Sequence, residues 1–246
     1  MSQDIHQTNE PTAKNGGIQF YGGYQVYSES GIDLTLLRRN LKLSPTERVE
    51  RGLSAAAFAN VLLEAGRASR AKASNPNEGG PPVAQQVRLE LVLKDLASNR
   101  VEYVLIGGQA MTLQGSAHVT FDLDLCYART KENIAALAMA LAPHHPYLRG
   151  APPGLPFQFD PPTIRAGLNF TLQTDLGDID VLGEVSGIGR YEEALAQSEE
   201  KTVFGVIVRI LSVDGLIAAK KAAGRVKDRN HILELEELKK MRDAAQ

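Results

Sequence analysis

The strongest constraint on the fold is a strand that ends in two glycines and precedes a segment with two closely spaced aspartates. Residues 101–106 are a compact β-branched and aromatic run, which is typical of a buried strand, and Gly107-Gly108 ends it. After thirteen intervening residues, Asp122 and Asp124 alternate with leucines. Alternate side chains of a strand face the same side, so we expect both carboxylates to project together.

Two carboxylates at this spacing repel each other, and burial of one face of the strand strengthens the repulsion. A cation is the natural compensation, and hard oxygen ligands suit Mg²⁺ or Mn²⁺. The glycine pair adds a complementary feature, because a strand that turns into a helix exposes backbone N–H groups where phosphate binds. Taken separately, the glycines are more often a turn, and an Asp-x-Asp strand is more often a solvated sheet face. Together they favour nucleotidyl or phosphoryl chemistry.

Composition excludes several other classes of protein. The net charge of -2 and the pI near 6.2 argue against a protein that coats nucleic acid by charge alone. Cys126 is the only cysteine, so an intramolecular disulfide is excluded, and no run approaches the roughly 20 apolar residues of a membrane span. The first residues lack the apolar centre of a signal peptide. We therefore expect a cytoplasmic protein with no membrane partner.

Four parts are predicted along the chain: a flexible arm (1–30), an N-terminal helical extension (31–71), a linker (72–82) and a core (83–246). In the extension, a helix begins after Ser44, and its apolar stripe is predicted to be buried; the stripe comprises Leu53, Ala57, Val61, Leu62 and Ala65. Residues 143–165 hold seven of the twelve prolines, which predicts an irregular loop.

The core alternates predicted strands and helices, so we expect an α+β fold in which a mixed sheet is flanked by helices. The predicted strands are 101–106, 120–127, 168–174, 178–184 and 203–211, of which the third and fourth form a hairpin. The predicted helices are 83–99, 109–114, 130–141, 212–224 and 228–241.

The pair Gly107-Gly108 followed by Asp122-Leu123-Asp124 resembles the signature of the polymerase-beta-like nucleotidyltransferase superfamily. The resemblance covers roughly residues 83–240. More narrowly, the chain is similar to the minimal bacterial nucleotidyltransferases that include abortive-infection and toxin-antitoxin toxins. Their later motifs resemble the runs that begin at Thr174 and at Ala219. The resemblance implies that two metal ions, Mg²⁺ or Mn²⁺, support transfer of a nucleoside monophosphate from a nucleoside triphosphate to a hydroxyl.

The resemblance also implies which further residues act. It requires a third carboxylate on a neighbouring strand, as a metal ligand or as the base for the attacking hydroxyl, and Asp180 is the choice over Asp178. Gly107 and Gly108 would bind the nucleotide together with two basic residues, Lys220 and Arg225. The resemblance favours Lys220 over its neighbour Lys221.

The acceptor stays open at this stage. RNA, such as a tRNA end, and protein hydroxyls are the first alternatives, with a toxin role and a cognate antitoxin partner implied by the resemblance. Residues 33–72 carry eight basic and four acidic side chains, which favours phosphate contacts but also fits an ordinary solvated helix. A small molecule such as an antibiotic is a second kind of acceptor. A non-catalytic protein that binds a nucleotide or a partner is the third hypothesis.

Overall fold

The computed structural model describes residues 20–21, 23–73, 86–152 and 154–244 of the chain. Nine strands lie in this part: Phe20–Tyr21 (β1), Tyr24–Gln25 (β2), Tyr103–Ile106 (β3), Leu123–Tyr127 (β4), Tyr147–Leu148 (β5), Asn169–Thr174 (β6), Gly177–Leu182 (β7), Ser198–Val203 (β8) and Val206–Leu211 (β9). The same part contains nine α-helices: Leu34–Leu41 (α1), Pro45–Ala73 (α2), Leu89–Ser98 (α3), Gly107–Gln114 (α4), Lys131–Leu141 (α5), Pro161–Ala166 (α6), Tyr191–Ala196 (α7), Val213–Ala223 (α8) and Asp228–Asp243 (α9).

Seven of these strands form one mixed sheet in the order β5-β6-β7-β4-β3-β9-β8. In its centre β4 pairs in parallel with β7 and antiparallel with β3, while β3 pairs in parallel with β9. The strands on either side pair antiparallel. The predicted α+β class, with a mixed sheet flanked by helices and an N-terminal helical extension, is confirmed.

Helices cover both faces of the sheet, and the alternation along β4 assigns its side chains to the two faces. Leu125 packs in a cluster with Leu96 of α3 and Leu137 of α5. Cys126 packs in the opposite cluster with residues of α8 and α9, among them Leu235. Because alternate residues of a strand share a face, Asp124 lies on the same face as Cys126, at the start of β4.

Local capping signals set the ends of the predicted helices near the site. The Thr130 hydroxyl accepts a hydrogen bond from the backbone N–H of the third residue of α5, and Ser212 caps α8 in the same way, at 3.2 Å from Gly215 N. Gly224 ends α8 with a φ of +64°, a conformation that glycine adopts without strain. The predictions of helices over 130–141, 212–224 and 228–241 are confirmed.

Four element predictions in the core were wrong in part. The first helix begins at Leu89 rather than at residue 83, and residues 86–88 precede it without helical structure. The second strand begins at Leu123 rather than at residue 120, so Asp122 lies just before it. The proline-rich segment is not wholly irregular, because it contributes the edge strand β5 and the helix α6, whose first turn holds two prolines. The strand predicted over 203–211 is the second half of a hairpin. Its first half, β8, is rich in charge and therefore lacks the apolar alternation that identifies a strand.

The start of α2 was predicted correctly, but the buried face of this helix was not. Ser44 and Glu47 cap it reciprocally, with the Ser44 N–H donating to Glu47 Oε2 at 2.7 Å. Val49 and Ala56 are buried, whereas Phe58, Val61 and Leu62 are 64%, 60% and 57% exposed. The helix packs against α4 through Gly52, which lies against Thr112. Of the predicted stripe only Leu53 is partly buried against the core, and its other residues are exposed.

The predicted arm and linker fall largely outside the described residues, and the four-part division of the chain stays a prediction. The described part of the arm contains the short ribbon of β1 and β2. The residues described at the start of the linker continue α2 to Ala73. None of the helices in the described ranges is long and apolar enough to cross a membrane.

Candidate active site

Three carboxylates meet where β4 and β7 lie side by side. Asp124 of β4 is the register partner of Asp180 of β7, and Asp122 precedes β4 by one residue. Each of the three offers one oxygen, these oxygens all lie within 4.8 Å of one another, and each residue is partly exposed. The structure therefore brings together the three aspartates that the sequence singled out. Their oxygen-only donor set fits a hard divalent cation such as Mg²⁺ or Mn²⁺.

The glycine pair fits directly against these carboxylates. Gly107 begins α4 with a φ of +63°, and a Cβ at this position would overlap the carboxylate of Asp124. A Cβ at Gly108 would lie 2.6 Å from Thr120 Oγ1, and the Gly108 N–H donates a hydrogen bond to Asp124. Both glycines are thus required by close approach, and the first also by its backbone conformation. The N-terminus of α4 points its positive end at the carboxylate cluster.

Burial and charge repulsion shift the pKa of Asp124. Burial first, and then the negative charge of Asp122, raise the pKa of Asp124 to about 6. Lys220, the Gly108 N–H and Arg225 act in the opposite direction, which places both cations close to the cluster. A bound cation would favour the ionised form of this carboxylate. Asp122 is oriented separately, because the Thr120 hydroxyl donates to its Oδ1 at 2.5 Å.

The two predicted basic residues are held by Asp228, which the sequence placed at a helix start and in the run that begins at Ala219, but to which it gave no contact with them. Asp228 is 1% exposed, and its oxygens lie 3.2 Å from Lys220 Nζ and 2.7 Å from Arg225 Nε. Burial acts to raise the pKa of Asp228, but hydrogen bonds from Arg225 and Lys220 outweigh it and lower the pKa to about 2. Lys220 is itself buried, whereas Lys221 is exposed and pairs with Glu236. The structure thus distinguishes the two lysines as the resemblance did.

Two histidines lie beside this ion cluster. The rings of His118 and His231 have centroids 4.2 Å apart, and His231 Nδ1 approaches Asp228 Oδ1 at 3.4 Å. Burial, followed by the neighbouring charges of His231 and Lys220, lowers the pKa of His118 to about 4. Its ring is therefore neutral at pH 7, and it adds no positive charge to the site. Nothing in the local sequence predicted this pair, because the two residues are 113 positions apart.

An arginine that sequence reasoning missed contacts the third carboxylate. Arg149 follows the edge strand β5, and its guanidinium pairs with Asp180 through Nη2 and with Asp178 Oδ2 through Nη1, the latter at 3.2 Å. All three side chains are partly buried, at 30% or less exposed. Arg149 lies in the proline-rich segment, where no local pattern indicates a functional residue.

A basic groove of about 900 Å³ lies between the N-terminal extension and the end of α9. Its described lining residues are Tyr24, Thr35, Arg38, Arg39, Leu41, Lys42, Met241 and Ala244, and none of these is acidic. The Arg38 guanidinium lies 5.8 Å from the centre of the Tyr24 ring and donates to the Gln25 carbonyl at 2.5 Å. This groove concentrates positive charge next to an aromatic ring.

Comparisons with known proteins give only a remote likeness of fold. No protein-family model matches the chain, and no curated protein matches it. A candidate nucleotidyltransferase from Thermotoga maritima superimposes with a TM-score of 0.41 and 14% identity, over 62% of this chain and 96% of that one. An antigenic nucleotidyltransferase-like protein from Paracoccidioides brasiliensis superimposes with a TM-score of 0.38 and 15% identity, over 63% of this chain and 79% of that one. A likeness at this level does not assign the chain to a family, so any function must be argued from the site.

Proposed function

We propose that this protein is a metal-dependent nucleotidyltransferase that transfers a nucleoside monophosphate from a nucleoside triphosphate to a hydroxyl group. The observation that carries the proposal is the convergence of Asp122, Asp124 and Asp180 at the N-terminus of α4. The cluster supplies ligands for a divalent cation, and the helix end supplies N–H groups for a phosphate. Either feature alone is common, and their contact through Gly107 and Asp124 supports a site that handles a metal-bound phosphate.

Each group of residues has a distinct part in this reaction. Asp122, Asp124 and Asp180 would hold Mg²⁺ or Mn²⁺, which supplies charge compensation and polarises the phosphate when bound. Gly107 and Gly108 leave room for the side chains of Asp124 and Thr120 at the start of α4, whose backbone N–H groups would bind the phosphates. Lys220 and Arg225 add positive charge to the same side of the site, and Asp228 fixes their positions.

The bond changes follow from this placement. The acceptor oxygen forms a bond to the α-phosphorus while the bond from that phosphorus to the bridging oxygen breaks, and pyrophosphate leaves. The proton of the acceptor hydroxyl goes to a carboxylate, for which Asp180 is the candidate because it lies at the edge of the cluster away from α4. Lys220 and Arg225 would offset the negative charge that accumulates on the departing pyrophosphate.

We propose RNA as the acceptor, on the strength of the basic groove. Asp228 at the start of α9 belongs to the ion cluster, and Met241 near its end lines the groove. Thirteen residues at 1.5 Å each separate the two by about 20 Å, a distance that a short segment of RNA can span. An RNA end in the site could therefore place its backbone in the groove. A toxin role, an antitoxin partner and a protein acceptor stay predictions that rest on the resemblance alone.

The test is transfer of label from each alpha-labelled nucleoside triphosphate in the presence of Mg²⁺ and either total RNA or lysate protein. We expect label in RNA with the wild type and none with Asp180→Asn. Asp175→Asn is the matched control, because this carboxylate lies in the exposed turn of the same hairpin and outside the cluster. Label in protein instead of RNA would move the acceptor to a protein hydroxyl. No transfer to either pool, with Mn²⁺ still bound by the wild type, would favour a small-molecule acceptor or a binding role.

A further inference from the structure

Arg149 occupies a defined place in the sheet that carries the candidate site. Its backbone N–H donates to the Thr171 carbonyl of β6 at 2.9 Å. Thr171 is the register partner of Asp180 in β7, which in turn pairs with Asp124 in β4. Arg149, just after β5, and the three strand residues therefore lie in one row across the sheet. The long side chain of Arg149 spans β6 and reaches the edge of the carboxylate cluster.

The guanidinium of Arg149 contacts two carboxylates through one nitrogen each, and does not bind a single carboxylate through both. One nitrogen pairs with Asp180, which belongs to the cluster, and the other lies 3.2 Å from Asp178, which does not. Arginine stays charged at any ordinary pH, so this contact compensates part of the negative charge that the cluster concentrates. Arg149 keeps 30% of its side chain exposed, and the contact is therefore open to exchange with solvent and with ligands.

A divalent cation and this guanidinium compete for the same carboxylate. Both are positive, both require oxygen atoms of the cluster, and their mutual repulsion rises as they approach. Binding of a cation by Asp122, Asp124 and Asp180 must therefore weaken or break the contact of Arg149 with Asp180. The guanidinium then needs another anion, and its planar fork of donors matches a phosphate group.

We propose that Arg149 couples cation binding to nucleotide binding, as the counter-ion of Asp180 in the free protein and as a phosphate ligand once a cation has replaced it. This inference rests on the proposed function, because it takes the cluster as the cation site. Free cation binds weakly, since it must displace Arg149. A nucleoside triphosphate binds more tightly with the cation than alone, since it receives the released guanidinium. The coupling is reciprocal: each ligand strengthens the binding of the other by the same factor.

The experiment measures Mn²⁺ binding by electron paramagnetic resonance, using the full-length protein without nucleotide. We expect Arg149→Gln to bind Mn²⁺ about tenfold more tightly than the wild type, because a charge-assisted contact no longer has to be broken. Arg165→Gln is the matched control, since Arg165 is an exposed arginine of α6, a helix outside the carboxylate cluster. It should leave the affinity within about twofold, because exposed charges are screened by solvent.

A second titration adds a non-transferable analogue with a methylene bridge between its α and β phosphates. The analogue should strengthen Mn²⁺ binding by the wild type at least several-fold more than binding by Arg149→Gln. Arg149→Lys keeps the charge but loses the planar fork of donors, so its Mn²⁺ affinity should lie between those of the wild type and Arg149→Gln. It replaces Arg149→Gln if that variant does not fold. Equal Mn²⁺ affinities for wild type and Arg149→Gln, with binding lost in Asp180→Asn, would overturn the inference alone. Absence of Mn²⁺ binding in all proteins would overturn the proposed function as well.

Discussion

The buried carboxylate Asp228 gives the sharpest prediction about how the site is held together. Asp228→Asn keeps the size of the side chain but removes the charge that Lys220 and Arg225 contact. The pKa of this group is 3.8 in the unfolded reference and about 2 in the folded protein, which corresponds to about 2 kcal/mol of stability at neutral pH. We therefore expect the variant to lose about 2 kcal/mol of unfolding free energy at pH 7.

The pH dependence of this loss follows from the direction of the pKa shift. A carboxylate with a lowered folded pKa stabilises the protein above its unfolded pKa, and this contribution is lost as the pH falls through the folded value. The difference between wild type and Asp228→Asn should be constant from pH 7 to about 5. It should fall to roughly half by pH 3, midway between the unfolded pKa of 3.8 and the folded pKa of about 2.

Urea unfolding of both proteins between pH 7 and pH 3 measures this difference. Lys221→Met is the control, because Lys221 forms an exposed pair with Glu236 and should contribute at most about 0.5 kcal/mol. The double variant Asp228→Asn/Lys220→Met should recover part of the stability, because it leaves no buried ammonium group without its partner. A variant as stable as the wild type at pH 7, or a difference that does not change down to pH 3, would refute the reasoning.

Three further predictions concern the glycine, the central carboxylate and the groove. Gly107→Ala should weaken Mn²⁺ binding at least tenfold and lower the free energy of unfolding by about 1–3 kcal/mol, because its Cβ would displace the Asp124 carboxylate. Wild-type Mn²⁺ affinity in a calorimetric titration of the variant would contradict this. Asp124→Asn should raise the melting temperature of the metal-free protein, since it removes a partly buried charge beside the like charge of Asp122. The variant should not gain the stability of about 2.7 kcal/mol that Mg²⁺ at 100 times its dissociation constant should add to the wild type. Thermal scans with and without Mg²⁺ test both effects, and equal stabilisation of the two proteins by Mg²⁺ would disprove the second. Arg39→Ala/Lys42→Ala should weaken RNA binding and reduce the slope of log affinity against log salt by about 1.4. An unchanged slope in filter-binding assays would exclude the groove as the RNA-binding surface.

The centre of the site could be predicted because its determinants are local. A strand, two glycines and a pair of aspartates are close in sequence, and each constrains the backbone within a few residues. Asp122 shows the limit of such an argument, since it lies before β4 and joins the cluster without the strand alternation that predicted it. Asp180 required the resemblance, because only the parallel pairing of β4 with β7 places it beside Asp124.

The residues that escaped prediction are those whose partners are set by tertiary structure. Arg149 follows an edge strand of two residues and contacts a carboxylate 31 residues away, on the far side of β6. Asp228 has the appearance of a helix start, which is the ordinary role of aspartate, and its contact with Lys220 depends on how α8 and α9 pack. The exposed apolar residues of α2 were misassigned for the same reason, since periodicity alone does not show which side of a helix meets the core.

The way in which each cation is paired determines how it can act in the site. Lys220 and Arg225 are held by Asp228, a carboxylate outside the cluster, so a metal can bind without breaking their contacts. Arg149 is held by Asp180, a member of the cluster, so a bound metal weakens or breaks this contact. Loss of Arg149 should therefore strengthen the binding of a free cation and weaken its coupling to the nucleotide. Loss of Lys220 should weaken nucleotide binding directly while the coupling persists, so titrations of the two variants with Mn²⁺ and the methylene analogue separate an exchangeable counter-ion from a fixed phosphate ligand.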